Sequence, residues 1–126
     1  MGIPNPTPGE LEILRVLWRV GPATVRKIQE SLPVEKPAGY TTVLKLLQIM
    51  TEKGLVRREE ENRAHVYEAC QSEDQAQRQI VGDVMDRVFG GMAQRLVMHA
   101  LTERKASPED LAEIRRLLDR LEGEQG

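Results

Sequence analysis

The sequence is poor in cysteine, in aromatics, in long apolar runs and in excess positive charge, and each shortage excludes something. Cys70 is the single cysteine. It allows no intramolecular disulfide and no CxxC pair, so a reducing cytoplasm is the expected compartment. Trp18, Tyr40, Tyr67 and Phe89 are all the aromatics, leaving Leu, Ile, Val, Met and Ala to fill the core. No run approaches the roughly 18 apolar residues of a membrane span, so no direct membrane insertion is expected. Residues 1–8 lack the basic and apolar regions of a signal peptide. The net charge of −2 excludes the bulk basicity of a non-specific nucleic-acid binder; if DNA is bound, a local patch must do it. There is no GxSxG, no HExxH, no phosphate-cradling glycine loop and no metal-spaced cluster. His65 and His99 lie far apart and form no credible acid–base pair. The sequence therefore predicts no enzyme: no catalytic residues, no metal and no cofactor.

What remains is a chain of helix formers. Its 126 residues suit one domain, or one small domain with an appendage. Charge is uneven: residues 1–70 carry ten Lys+Arg against nine Asp+Glu, and residues 71–126 carry eight against eleven. After an irregular leader, Met1 to Pro6, "TPGE" reads as a capping box, with Thr7 as N-cap, Pro8 at the first helical position and Glu10 three residues on. Leu11, Leu14, Leu17 and Trp18 carry the apolar face, and Gly21-Pro22 ends the helix. Thr24 can cap a second, short helix with Val25, Ile28 and Leu32 inward, stopped by Pro33. The third helix spans Tyr40 to Lys53, and Gly54 is its natural C-cap. Val43, Leu46, Leu47 and Met50 follow the 3.6-residue period. The opposite face holds Thr41, Lys45, Gln48 and Glu52, with Thr42 on its flank. Leu55 to Glu59 reads as a strand, "EENR" (Glu60 to Arg63) as the turn and Ala64 to Ala69 as the returning strand.

Beyond residue 71 the pattern changes. Ser72 to Gln75 is a second capping box. A helix follows with Val81, Met85, Val88 and Met92 as its stripe, interrupted or kinked by Gly90-Gly91. Leu96, Val97, Ala100 and Leu101 continue an apolar stripe. Ser107-Pro108 opens a last helix whose Leu111, Ile114, Leu118 and Leu121 form a heptad-like seam. These stripes must be covered. They either fold back on the first 70 residues or bury each other across a two-fold axis. The second is favoured, because some 50 residues of striped helix make a poor independent core.

Three helices followed by a hairpin, in that order and at those lengths, give a mainly α fold: a winged helix-turn-helix over residues 1–71 with a helical dimerisation region over 72–126. In this class the third helix enters the DNA major groove. Thr41 and Thr42 can meet phosphate or base acceptors, and Lys45 a phosphate or a guanine edge. Arg57, Arg58, Arg63 and His65 lie on or near the wing, with Arg63 near its tip the best candidate for a phosphate or minor-groove contact. Tyr40 can equally pack or touch phosphate. Glu59, Glu60 and Glu61 partly cancel this patch. The alternative is a winged helix used as a protein–protein module, which the weak charge balance of the first 70 residues favours. A ligand-responsive regulator of the multiple-antibiotic-resistance (MarR) type is disfavoured, because such proteins place helices before the winged domain too.

The stretches "ELEILRVLW" (Glu10 to Trp18), "YTTVLKLLQIMTEKGLV" (Tyr40 to Val56), "RAHVYEA" (Arg63 to Ala69), "FGG" (Phe89 to Gly91) and "SPEDLAEIRRLLDRLE" (Ser107 to Glu122) together resemble the penicillinase-repressor family of the BlaI/MecI type. The resemblance implies a homodimeric repressor of a palindromic double-stranded operator, with DNA contacts at Tyr40, Thr41, Thr42, Lys45, Arg63 and His65. It implies a membrane sensor-protease system upstream, acting at an Asn-Phe bond in the dimerisation helices. Leu96 to Glu103 has no such bond, with His99-Ala100 near that place. The copper-responsive branch needs a cysteine cluster, which Cys70 alone cannot form. Ile49 stands where many relatives carry Arg, removing one possible phosphate contact.

Overall fold

The computed structural model describes residues 2–125; Met1, the start of the expected leader, and Gly126 lie outside the described residues. The elements run α1 (Pro8–Val20), α2 (Val25–Ser31), α3 (Tyr40–Lys53), β1 (Val56–Glu61), β2 (Ala64–Ala69), α4 (Glu73–Val88), α5 (Ala93–Glu103) and α6 (Pro108–Gln125). The chain divides into two compact units, Met1–Gly82 and Asp83–Gly126, and the division falls inside α4.

The first unit is built by local signals that agree with one another. Thr7 Oγ1 accepts from the Glu10 amide while the Glu10 carboxylate accepts from the Thr7 amide, so both halves of the capping box are made. Thr24 caps α2 through the Lys27 amide. Gly54 closes α3 at φ 84°, ψ 13°, the left-handed cap that glycine adopts without a Cβ clash. Ile13, Val16 and Leu17 of α1, Ile28 of α2 and Val43, Leu47 and Met50 of α3 interlock beneath Val56 and Tyr67 of the hairpin. Leu46, expected on the same stripe as Leu47, is only partly buried.

The hairpin departs from the expected one. β1 begins at Val56, not Leu55, and continues to Glu61, so the turn is Asn62-Arg63 rather than four residues. The register pairs Val56 with Ala69, Arg58 with Tyr67 and Glu60 with His65. Burial of Val56 and Tyr67 fixes that register, and it carries three glutamates into the ladder despite their low strand propensity. Both turn residues have positive φ, 51° at Asn62 and 67° at Arg63. A two-residue hairpin loop of the I′ kind needs this. An unexpected pairing also appears: Ala23 and Tyr67 exchange backbone hydrogen bonds of 3.0 and 2.9 Å. That bridge ties the α1–α2 connection to the base of the wing.

The beginning of α4 packs with this unit. Ser72 and Gln75 form their capping box, Ala76 is buried, and Trp18 Nε1 donates to the Gln71 carbonyl at 3.0 Å.

In the second unit α4 ends at Val88, and Gly90 (φ 58°) and Gly91 (φ 82°) turn the chain. Met92 is therefore the N-cap of α5 and not a member of the α4 stripe, as the spacing had suggested. Left-handed backbone at two successive residues breaks the helix outright. Ser107 Oγ caps α6 through the Asp110 amide. Neither α5 nor α6 has a buried residue.

Candidate nucleic-acid interface

The recognition helix α3 presents the face that its period implies. Thr41, Thr42, Lys45, Gln48 and Glu52 are exposed while Val43, Leu47 and Met50 are buried beneath them. Its N-cap is Gly39, no side chain caps the first turn, and that turn holds no acidic residue. The first amides of α3 thus keep their donors and their partial positive charge. Its far end is fixed differently. Lys53 Nζ lies 3.0 and 2.8 Å from the two Glu10 carboxylate oxygens, tying the last turn of α3 to the first turn of α1. Glu10 is 1% exposed and is the one buried charged residue among those described. Burial alone would raise its pKa, but the Lys53 ammonium and the Thr7 hydrogen bonds hold the carboxyl below its usual value.

The wing sorts its cations. Arg57 is neutralised by a salt bridge to Glu68 across the strands. Arg63 stands at the tip, exposed, with no carboxylate partner among the described residues. His65 is also exposed, two residues from the buried Tyr67.

Three of the expected site residues come together. Tyr40, Arg63 and His65 line one cleft of about 440 Å³ between the start of α3, the wing and α2, floored by Leu44 and Tyr67. Thr41 and Lys45 are exposed outside this cleft, and Thr42 borders a different, largely apolar cleft of about 380 Å³ against α1. One residue on this face carries no signal in the sequence. Arg26, in the first turn of α2, lines the Tyr40 cleft and holds its guanidinium carbon 5.9 Å from the centroid of the Tyr40 ring. Such a cation–π contact contributes about 0.5–1 kcal/mol at an exposed site. Nothing in the local pattern of α2 marks it, since Arg26-Lys27 reads as a solvated face.

The residues expected to dimerise are uncovered to different degrees. Val81, Val88, Met92, Leu118 and Leu121 are exposed, while Met85, Leu96, Leu111 and Ile114 are half-buried. His99 rests on Phe89, ring centroids 5.8 Å apart. Cys70 is an exposed free thiol. No group of three or more His, Cys, Asp or Glu that could hold a metal occurs among the described residues, and none of the described helices is long and apolar enough to cross a membrane.

A three-helix unit closed by a two-stranded wing, whose third helix has a polar exposed face and no side-chain cap at its N-terminus, is a winged helix-turn-helix. The family model described as penicillinase repressor matches residues 6–120, and the chain belongs to that family of transcriptional regulators. It is 31% identical over 121 residues to the transcriptional regulator BlaI of Mycobacterium tuberculosis, covering 94% of this chain and 87% of that one. Against the methicillin resistance regulatory protein MecI of Staphylococcus aureus it is 21% identical over 111 residues, with 88% and 90% covered. Among solved structures it is similar to the monomeric form of Bacillus licheniformis BlaI, determined in complex with the blaP half-operator. The TM-score is 0.50 at 23% identity, over 58% of this chain and 89% of that one. That likeness supports the winged-helix fold read from the sequence, as the family match supports the resemblance.

Proposed function

We propose that this chain is a sequence-specific transcriptional repressor that binds a palindromic operator as a homodimer in the cytoplasm. Residues 1–71 serve as the DNA-binding part and residues 72–126 as the dimerisation part. The observation that carries the reading is the α3 face: a helix N-terminus with no acidic residue and no side-chain cap, flanked by Lys45 and by a wing tip whose Arg63 is unpaired. Thr41, Thr42 and Lys45 enter the major groove, while Tyr40, Arg63 and His65 meet the backbone beside it. The uncovered stripes of α5 and α6 supply the second half of the argument, since two copies bury them and set two recognition helices on successive half-sites. The proposal takes no proteolytic step through α5, where His99 packs on Phe89 and no Asn-Phe bond occurs.

The test is binding of the purified protein to the DNA upstream of its own gene, with unrelated DNA as competitor, over a salt series. The expected result is preference for one palindrome, one dimer per site and a steep loss of affinity with salt. Lys45→Ala and Arg63→Ala should each weaken binding about tenfold without altering the thermal melt. Unchanged affinity in both variants would sink the site assignment. The exposed run Glu59–Glu61 favours a second reading, a winged helix that docks a protein. Absence of any preference over competitor DNA at low salt selects it.

A further inference from the structure

The recognition helix and the wing leave Arg26 unaccounted for. It is exposed and has no carboxylate partner among the described residues, in contrast to Lys36, Lys53, Arg57, Arg78 and Arg87, which all have one. Its guanidinium lies 5.9 Å from the centroid of the Tyr40 ring, and Tyr40 is the first residue of α3. The ring's position is therefore set by the recognition helix itself. An arginine resting on such a platform has lost part of its rotamer freedom before any ligand arrives. Across the cleft stand Arg63 and His65 from the wing, with about 440 Å³ between. The hairpin register brings Glu60 opposite His65, but no carboxylate lines the cleft. Segments far apart in sequence thus surround one concavity with guanidinium, phenol and imidazole groups and leave it without a counter-ion.

We infer that Arg26 is a phosphate-binding residue, and that this cleft takes one backbone phosphodiester of the duplex between Arg26 and Arg63. The inference rests on the DNA-binding reading and adds a contact from α2 to it. A phosphodiester suits the site because its oxygens point in several directions. Two planar guanidinium forks approaching from separate elements can meet them at once, which one ammonium cannot. Tyr40 then has a defined role: its ring holds Arg26 in place, whatever its hydroxyl does. The cleft volume leaves room for the adjoining sugar.

A phosphate contact carries no sequence information and adds one released counter-ion. The experiment measures affinity of the full chain against salt, on DNA from upstream of its own gene and on unrelated DNA. Arg26→Ala should weaken both by about tenfold and reduce the slope of log affinity on log salt by about 1. Arg26→Lys should keep the slope and lose part of the affinity. Tyr40→Phe, which keeps the ring, should leave the slope unchanged. If Arg26→Ala has wild-type affinity and slope while Lys45→Ala weakens binding, the assignment of Arg26 is overturned and the DNA reading stands. Loss on the specific DNA alone, at unchanged slope, also overturns it by making Arg26 a base reader. No binding of any DNA by the unaltered protein removes both.

Discussion

The two units are made of the same material and end differently. Each contains amphipathic helices opened by Ser or Thr caps. Yet among the described residues every buried side chain lies between Glu10 and Ala76, and α5 and α6 bury none. In the first unit the helical faces are closed by a hairpin: Val56 and Tyr67 seat on them, and the Ala23–Tyr67 bridge stitches the hairpin to the α1–α2 connection. Among the described residues the second unit has no such closing element, and a cleft of about 810 Å³ lies open between α5 and α6. An apolar stripe specifies which side of a helix must be covered and leaves open what covers it. In the first unit the chain answers with its own wing. In the proposed dimer a second copy answers for the other.

The largest effects separate these two kinds of burial. Leu47 is fully buried on α3, so Leu47→Ala should destabilise the first unit by about 3 kcal/mol through lost packing and the cavity left behind. Trp18, the only tryptophan, reports that transition, and the loss should be the same at every protein concentration. Leu118 is 51% exposed in the single chain. In the proposed dimer Leu118 is buried by association, so the cost of Leu118→Ala, followed by helical circular dichroism, should vanish on dilution and grow with concentration. A concentration-independent cost would mean that the second unit closes on itself, as the first does.

A middle-sized effect concerns the Glu10–Lys53 clamp of the first unit. Lys53→Met leaves the Glu10 carboxylate buried without its cation; because Lys53 is about one-third exposed, the cost should be near 2 kcal/mol, below that of a fully buried pair. The pH dependence follows from the same contact. A carboxyl whose folded pKa is lowered stabilises the fold above its ordinary unfolded value and loses that contribution as pH falls through the lower folded value. Glu10→Gln removes the titration. Its melting temperature, compared with that of the wild type from pH 7 to pH 3, should start lower and converge on the acid side. Parallel curves would show that the lowered pKa of Glu10 contributes nothing to the pH dependence.

What the sequence made legible was whatever is encoded within a few residues. The Thr7–Glu10 and Ser72–Gln75 boxes, the Gly54 cap and the buried side of α3 stand where the local signals put them. Local propensity makes the hairpin turn too long because Glu60 and Glu61 are poor strand formers. Their pairing is imposed by Val56 and Tyr67 at the other end of the ladder. The apolar period carries Met92 onto α4 because it runs straight through Gly90-Gly91, where the left-handed backbone ends the helix. The Glu10–Lys53 clamp spans 43 positions, and the Arg26–Tyr40 contact joins two helices. Neither leaves a trace in either element alone. Of the expected DNA-contacting residues, the exposed face of α3 was readable from its period. Which residues share the cleft at its start was not, because that depends on how the wing folds over α2.

The smallest predicted effect tests whether the wing tip is shaped for stability or for binding. Asn62 tolerates left-handed backbone comparatively well, but Arg63 at φ 67° is an unusual occupant of the second turn position. A non-glycine residue there costs about 1 kcal/mol, and glycine returns part of that gain through the greater freedom of its unfolded chain. Arg63→Gly should therefore raise stability by about 0.5 kcal/mol, read as a small upward shift in the Trp18 melt. The same substitution should weaken DNA binding about tenfold and reduce the salt slope by about 1, as loss of one phosphate contact requires. Arg63→Ala keeps the strained backbone, so it should lose the affinity without the gain in stability. A more stable protein with unchanged affinity would make Arg63 an ordinary turn residue. Opposite movements of stability and binding would show a side chain kept at the tip of the wing against the preference of its own backbone.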